Sequence, residues 1–97
     1  MLEMLGQGWS LSDSVSLRPE PFGALAYDFR TRRLSFLKTP ALVDVVRRLG
    51  GCPSVGAALT SAGVDASEHA SYARALRRLA DSGVLTPRTV SPEEILV

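Results

Sequence analysis

Between Ser14 and Lys38 large apolar residues recur at every second position, and from Thr39 to Ala80 they recur every third or fourth. The first spacing is that of strands and the second that of helices. Ser14-Val15-Ser16-Leu17-Arg18 reads as a first strand. Pro19-Glu20-Pro21-Phe22-Gly23 reads as a rigid turn, because two prolines fix φ and remove donors. A second strand, Ala24 to Phe29, puts Leu25, Tyr27 and Phe29 on one face and Asp28 with the alanines on the other. Arg30-Thr31-Arg32 turns the chain into a third strand, Arg32 to Lys38, in which Leu34 and Phe36 share a face. The meander is therefore expected to have one apolar face, built of Leu25, Tyr27, Phe29, Leu34 and Phe36, that helices must cover.

Three helices follow. Thr39 is an N-cap with Pro40 at the first helical position, and Leu42, Val45, Val46 and Leu49 form a stripe that Gly50-Gly51 ends. Pro53-Ser54 opens a shorter helix with Val55, Ala58, Leu59 and Ala62 on one side and Gly63 as its stop. Asp65 with Glu68 has the spacing of a capping box for a third helix over 66–81, whose inner face is Tyr72, Ala75, Leu76, Leu79 and Ala80. Ser82-Gly83 stops it, and Val84 to Pro87 is a brief extended exit. The predicted class is α+β, winged-helix-like: a three-stranded antiparallel sheet packed on three helices. Residues 1–13 are expected to be a flexible segment, 14–88 the folded domain, and 89–97 a tail in which Ser91-Pro92-Glu93-Glu94 nucleates at most one helical turn.

Composition narrows the function. Ninety-seven residues make one domain, and eleven basic residues nearly cancel ten acidic ones, which argues against bulk affinity for nucleic acid. The charge is uneven: Arg18, Arg30, Arg32, Arg33, Lys38, Arg47 and Arg48 face only Glu20, Asp28 and Asp44 in the same stretch. A single cysteine, Cys52, forms no internal disulfide, which points to a reducing cytoplasm. No apolar run approaches the roughly 20 residues of a membrane span, and the first residues lack the pattern of a secretion signal.

Catalytic chemistry is not visible. His69 and Cys52 are single residues on different elements, short of the three or four ligands of a zinc site and without an orienting third group for a nucleophilic pair. No glycine-rich phosphate loop follows a strand. Neither enzyme activity nor a cofactor is expected. The third helix carries Arg74, Arg77 and Arg78 on one exposed side, so a winged-helix DNA-binding domain using helix 66–81 is the alternative reading. The bland reading of those arginines is a solvated face balanced by Glu68 and Asp81.

The third strand has no partner after it in the chain, so it is an edge, with a row of unpaired N–H and C=O groups that can accept an extended peptide. Proline substitution tests such an edge. Leu34 and Phe36, as core residues, are expected to unfold the domain when replaced, which leaves Ser35 and Leu37 as the informative positions. A homodimer through the same edge is a third reading, since edge pairing is self-complementary.

The run Phe22-Gly23-Ala24-Leu25-Ala26-Tyr27-Asp28, then Arg33-Leu34-Ser35-Phe36-Leu37, then Thr39-Pro40, then Asp81-Ser82-Gly83-Val84-Leu85, resembles the mycofactocin biosynthesis chaperone (MftB) family. Those are PqqD-like peptide-recognition domains of ribosomal peptide maturation, and the likeness spans Val15 to Arg88. It implies that the leader of a precursor peptide pairs antiparallel with the third strand, against the third helix. It also implies delivery of that precursor to a radical S-adenosylmethionine enzyme. Carried onto this chain, the peptide-binding residues are Arg33, Leu34, Ser35, Phe36, Leu37 and Lys38 on the strand, with Tyr72, Arg74, Ala75, Leu76 and Leu79 on the helix. Arg32, Arg33, Lys38 and Arg74 would suit an acidic leader.

Overall fold

In the computed structural model, which describes residues 2–88, the elements run in the order β1 (Trp9–Leu11), β2 (Val15–Glu20), β3 (Gly23–Asp28), β4 (Arg33–Leu37), α1 (Pro40–Leu49), α2 (Val55–Ser61), α3 (His69–Asp81) and β5 (Leu85–Pro87). Strands β2, β3 and β4 form an antiparallel meander, and three helices pack against it, as the α+β reading expects. Within the meander the expected strands differ only at their ends: β2 runs on through Pro19 to Glu20. A proline is tolerated there because β2 is itself an edge strand. The expected tail, residues 89–97, lies outside the described residues.

The segment expected to be flexible is built into the domain. A 3-10 turn, Leu2–Gly6, buries Met4 to 2% exposure, and β1 pairs antiparallel with β5 as a separate two-stranded ribbon. Arg88 clamps that ribbon to the end of α1. Its guanidinium donates to the carbonyl oxygens of Leu49, Gly50 and Cys52, while its backbone N–H donates to the Gly8 carbonyl (2.8 Å). A cation there meets the negative end of the helix dipole. Glycine spacing disguised β1, because a three-residue strand is too short to show a period.

The helix starts follow their caps. Thr39 Oγ1 accepts from the Leu42 N–H (3.1 Å), and Ser54 Oγ accepts from the Ala57 N–H (3.1 Å). The capping box at Asp65 does not form. Asp65 takes the Ser67 hydroxyl instead (2.6 Å), Ala66–Glu68 is a 3-10 turn, and the α-helix begins at His69. His69 Nε2–H donates to the Val64 carbonyl (3.1 Å). Gly83, at φ 85°, ends α3, with the Val84 N–H returning to the Leu79 carbonyl.

The largest correction concerns the sheet's faces. The face turned to the helices carries Ala24, Ala26, Asp28 and Leu37, all under 3% exposed. The face with the large residues is open to solvent: Tyr27, Phe29, Leu34 and Phe36 are 39%, 60%, 59% and 56% exposed. The helices bring their own bulk in Val45, Val46, Leu49, Leu76 and Leu79, and alanines on the sheet leave room for it. Two bulky layers would overfill the same space. Gly23 serves the same compact join, since a Cβ there would collide with the Leu37 carbonyl oxygen.

Asp28 is on the inner face because it builds the β3–β4 turn. Its Oδ1 accepts from the N–H groups of Arg30 (2.9 Å) and Thr31 (3.3 Å), and Arg32 at φ 64° completes the reversal. Burial pushes this carboxyl up, but hydrogen bonds from the Ser14 hydroxyl, the two N–H groups and the Thr31 hydroxyl outweigh it and hold the carboxyl below its ordinary 3.8. The unfolded chain therefore binds the proton more tightly. The stabilisation is complete above pH ~4 and is lost as pH falls through the lower folded value. Thermal melts between pH 5 and 2 should show the wild type losing stability more steeply than Asp28→Asn, which starts lower and changes less. Parallel curves would show that the turn draws nothing from the charge.

Candidate functional site

The hydrogen-bonding direction of β4 follows from one bond outside the strands. The Phe29 N–H donates to the Ser14 carbonyl (3.0 Å), so in β3 the backbone groups of Leu25 and Tyr27 point at β2. Successive residues alternate, so those of Ala24, Ala26 and Asp28 point at β4. Asp28 agrees, since its carbonyl accepts the Arg32 N–H in the β3–β4 turn. The cross-strand partners Leu37, Ser35 and Arg33 therefore aim inward. Leu34 and Phe36 aim their N–H and C=O groups outward, along an edge with no neighbouring strand among the described residues.

Beside this edge runs an open groove of about 360 Å³, between the end of β4, the start of α1 and one side of α3. Phe36, Lys38, Thr39, Leu42, Ser71, Tyr72, Ala75, Arg78 and Leu79 line it. Its bed is apolar, and its charged members are two cations, Lys38 and Arg78, without a carboxylate.

The eleven residues expected at the site divide. Phe36, Lys38, Tyr72, Ala75 and Leu79 line the groove. Leu34 and Ser35 lie on β4 outside it, Leu34 with its backbone outward and Ser35 with its backbone inward. Arg33 stands exposed at the turn end of β4, and Arg74 is exposed on α3 away from the lining. Leu37 and Leu76 are 0% exposed and belong to the core beneath the groove. Thr39, Leu42, Ser71 and Arg78 were missed. Ser71, Ala75 and Arg78 share a helix side at i, i+4, i+7, but two polar residues in that row read as solvated. Arg77, one of the three arginines of the DNA reading, is paired with Asp81 (3.4 Å).

Among the described residues there is no cluster of three or more histidine, cysteine or acidic side chains that could hold a metal, and no helix is long and apolar enough to cross a membrane.

Residues 8–86 match the model of the peptide chaperone MftB family. A curated relative from Mycobacterium ulcerans, "Peptide chaperone MftB", is 54% identical over 82 residues, covering 84% of this chain and 75% of the relative. Proteins of the same name from Mycobacterium tuberculosis and Mycolicibacterium smegmatis are each 48% identical, covering 84% and 81% of this chain and 75% and 78% of their own lengths. No solved structure matches the chain. With the family model covering most of the fold from β1 to β5, the chain belongs to the peptide chaperone MftB family.

Proposed function

We propose that this protein is a non-catalytic peptide chaperone of the cytoplasm. It takes the leader of a ribosomally made precursor, the mycofactocin precursor, as an added strand on β4 and presents the precursor to a radical S-adenosylmethionine maturase. The observation that carries this reading is the outward-facing backbone of Leu34 and Phe36 beside a groove whose charged lining is entirely cationic. Main-chain bonds to those two residues give affinity without sequence demand, and the groove against α3 selects side chains. Lys38 and Arg78 at the lining, with Arg32 and Arg33 at the turn, favour a guest carrying carboxylates.

The same charges count against self-pairing. An antiparallel β4–β4 contact that joins Leu34 to Phe36 of a second copy sets Arg32 opposite Lys38, cation against cation. An acidic guest relieves that repulsion instead.

The test is a titration of the purified protein with its leader peptide and, separately, with duplex DNA, at low and physiological salt. Leader binding should be saturable, and its association rate should fall as salt rises and fall again in Arg33→Glu. Duplex affinity should be absent at physiological salt, and incubation with the protein alone should leave the precursor's mass unchanged. Duplex binding that survives such salt, weakened by alanine at Arg74, Arg77 and Arg78, would instead establish the DNA-binding reading.

A further inference from the structure

All three phenylalanines of the chain are exposed, while the core is made of alanine, valine, leucine and Met4. Phe22 and Phe36 pack with tilted rings, centres 6.1 Å apart and planes at 57°, and Tyr27 and Leu34 face each other across β3 and β4 on the same side. The polar residues of that side, Ser16, Arg18 and Glu20, are all on β2. The open face is therefore graded: polar at the β2 edge and apolar toward β4. Cations ring it. Arg30 and Arg32 stand exposed at the turn beside Phe29, Arg33 next to them shares the inner side with its partner Asp28, and Arg18 on the far side bridges Glu20 (3.2 Å). Asp28 neutralises none of them from outside, because it is buried within the turn.

We propose that this outer face is a second docking surface, for a folded protein with an apolar patch rimmed by carboxylates, and that its occupant is the enzyme that modifies the guest. The proposal rests on the chaperone reading for the identity of the guest. Aromatic residues with arginine, and little lysine, make up the centres of protein–protein contacts rather than ordinary surface. A contiguous apolar patch of this kind on a small domain marks an interaction site. The rim decides its partner's charge: among the described residues the face offers Arg18, with Arg30 and Arg32 at the turn, and one already bridged glutamate, so a second copy would set cations on cations. Placement decides the rest. A strand added at β4 continues the outer face, and its outward side chains sit beside Leu34 and Phe36. A protein seated on this face touches carrier and cargo together, and it does so without entering the groove that holds the guest.

Tyr27 separates the two surfaces. It lies on the central strand, points its backbone at β2 and is absent from the groove. Tyr27→Glu, with Phe29→Ser at the turn as a second variant, should keep the wild-type circular dichroism spectrum and leader affinity. Each should weaken binding of the radical S-adenosylmethionine enzyme to the leader-loaded protein about tenfold or more, as loss of a central aromatic contact does. Precursor modification should fall with it. Wild-type enzyme binding by both variants would overturn the proposal. So would a wild-type dimer in sedimentation that Tyr27→Glu dissociates, or uptake onto phosphatidylglycerol vesicles lost in Tyr27→Glu while enzyme binding stays intact. If the wild type binds no leader, the chaperone reading falls, and enzyme binding by the leader-free variants still judges this surface.

Discussion

Leu34→Pro and Phe36→Pro are expected to fold as the wild type does and to lose most leader binding, whereas Ser35→Pro and Leu37→Pro are expected to unfold the sheet. The two pairs differ in where their N–H groups point. Ser35 and Leu37 face β3, so proline there removes a ladder bond, and at Leu37 it also empties a fully buried site. Leu34 and Phe36 face outward, and their side chains are more than half exposed, so proline costs the fold little. What it removes is a donor to the guest. Each bond lost costs about 1 kcal/mol, and the guest carbonyl left unpaired adds ~1–3 kcal/mol, which together weaken binding roughly ten- to a thousandfold. Circular dichroism and leader titration give both readouts, with Leu34→Ala and Phe36→Ala as controls for the lost side chains. A folded Phe36→Pro that binds leader as the wild type does would exclude strand addition at this edge. The assignment reverses the expectation from alternation alone, in which Leu34 and Phe36 were core and Ser35 and Leu37 carried the test.

Leu76→Ala is expected to be the most damaging single truncation on α3, costing about 2–5 kcal/mol. Leu76 is 0% exposed and packs in the main core beneath the groove. A domain of this size holds about 5–15 kcal/mol in all, so the variant should melt at a much lower temperature and populate unfolded chain at 37 °C. Phe36→Ala, by contrast, removes a larger side chain from a 56% exposed position and should cost ~0.5 kcal/mol or less. Chemical denaturation of the two variants side by side decides the matter. If Leu76→Ala keeps wild-type stability and loses only leader affinity, Leu76 is a contact residue and not a core one.

Features under local control are legible along the chain. Thr39 before Pro40, Ser54 before Val55 and the glycines at 63 and 83 set helix ends through single side-chain or backbone interactions, and period two marked β2, β3 and β4. The unpaired β4 edge was also legible, because nothing after Lys38 alternates long enough to pair with it. Which face of the sheet goes inside depends instead on packing between elements. Alternation tells which residues share a face, and size suggested Leu25, Tyr27 and Phe36, but the space left between sheet and helices admits alanine once Val45, Leu49 and Leu76 fill it. Register then fixed which N–H groups of β4 face outward, through a bond between Phe29 and Ser14 that no local pattern encodes. The pairing of Trp9–Leu11 with Leu85–Pro87, and the groove formed where Phe36 meets Tyr72 and Arg78, likewise join residues far apart in the chain. Such contacts depend on how the helices pack against the sheet, which periodicity within one element does not carry.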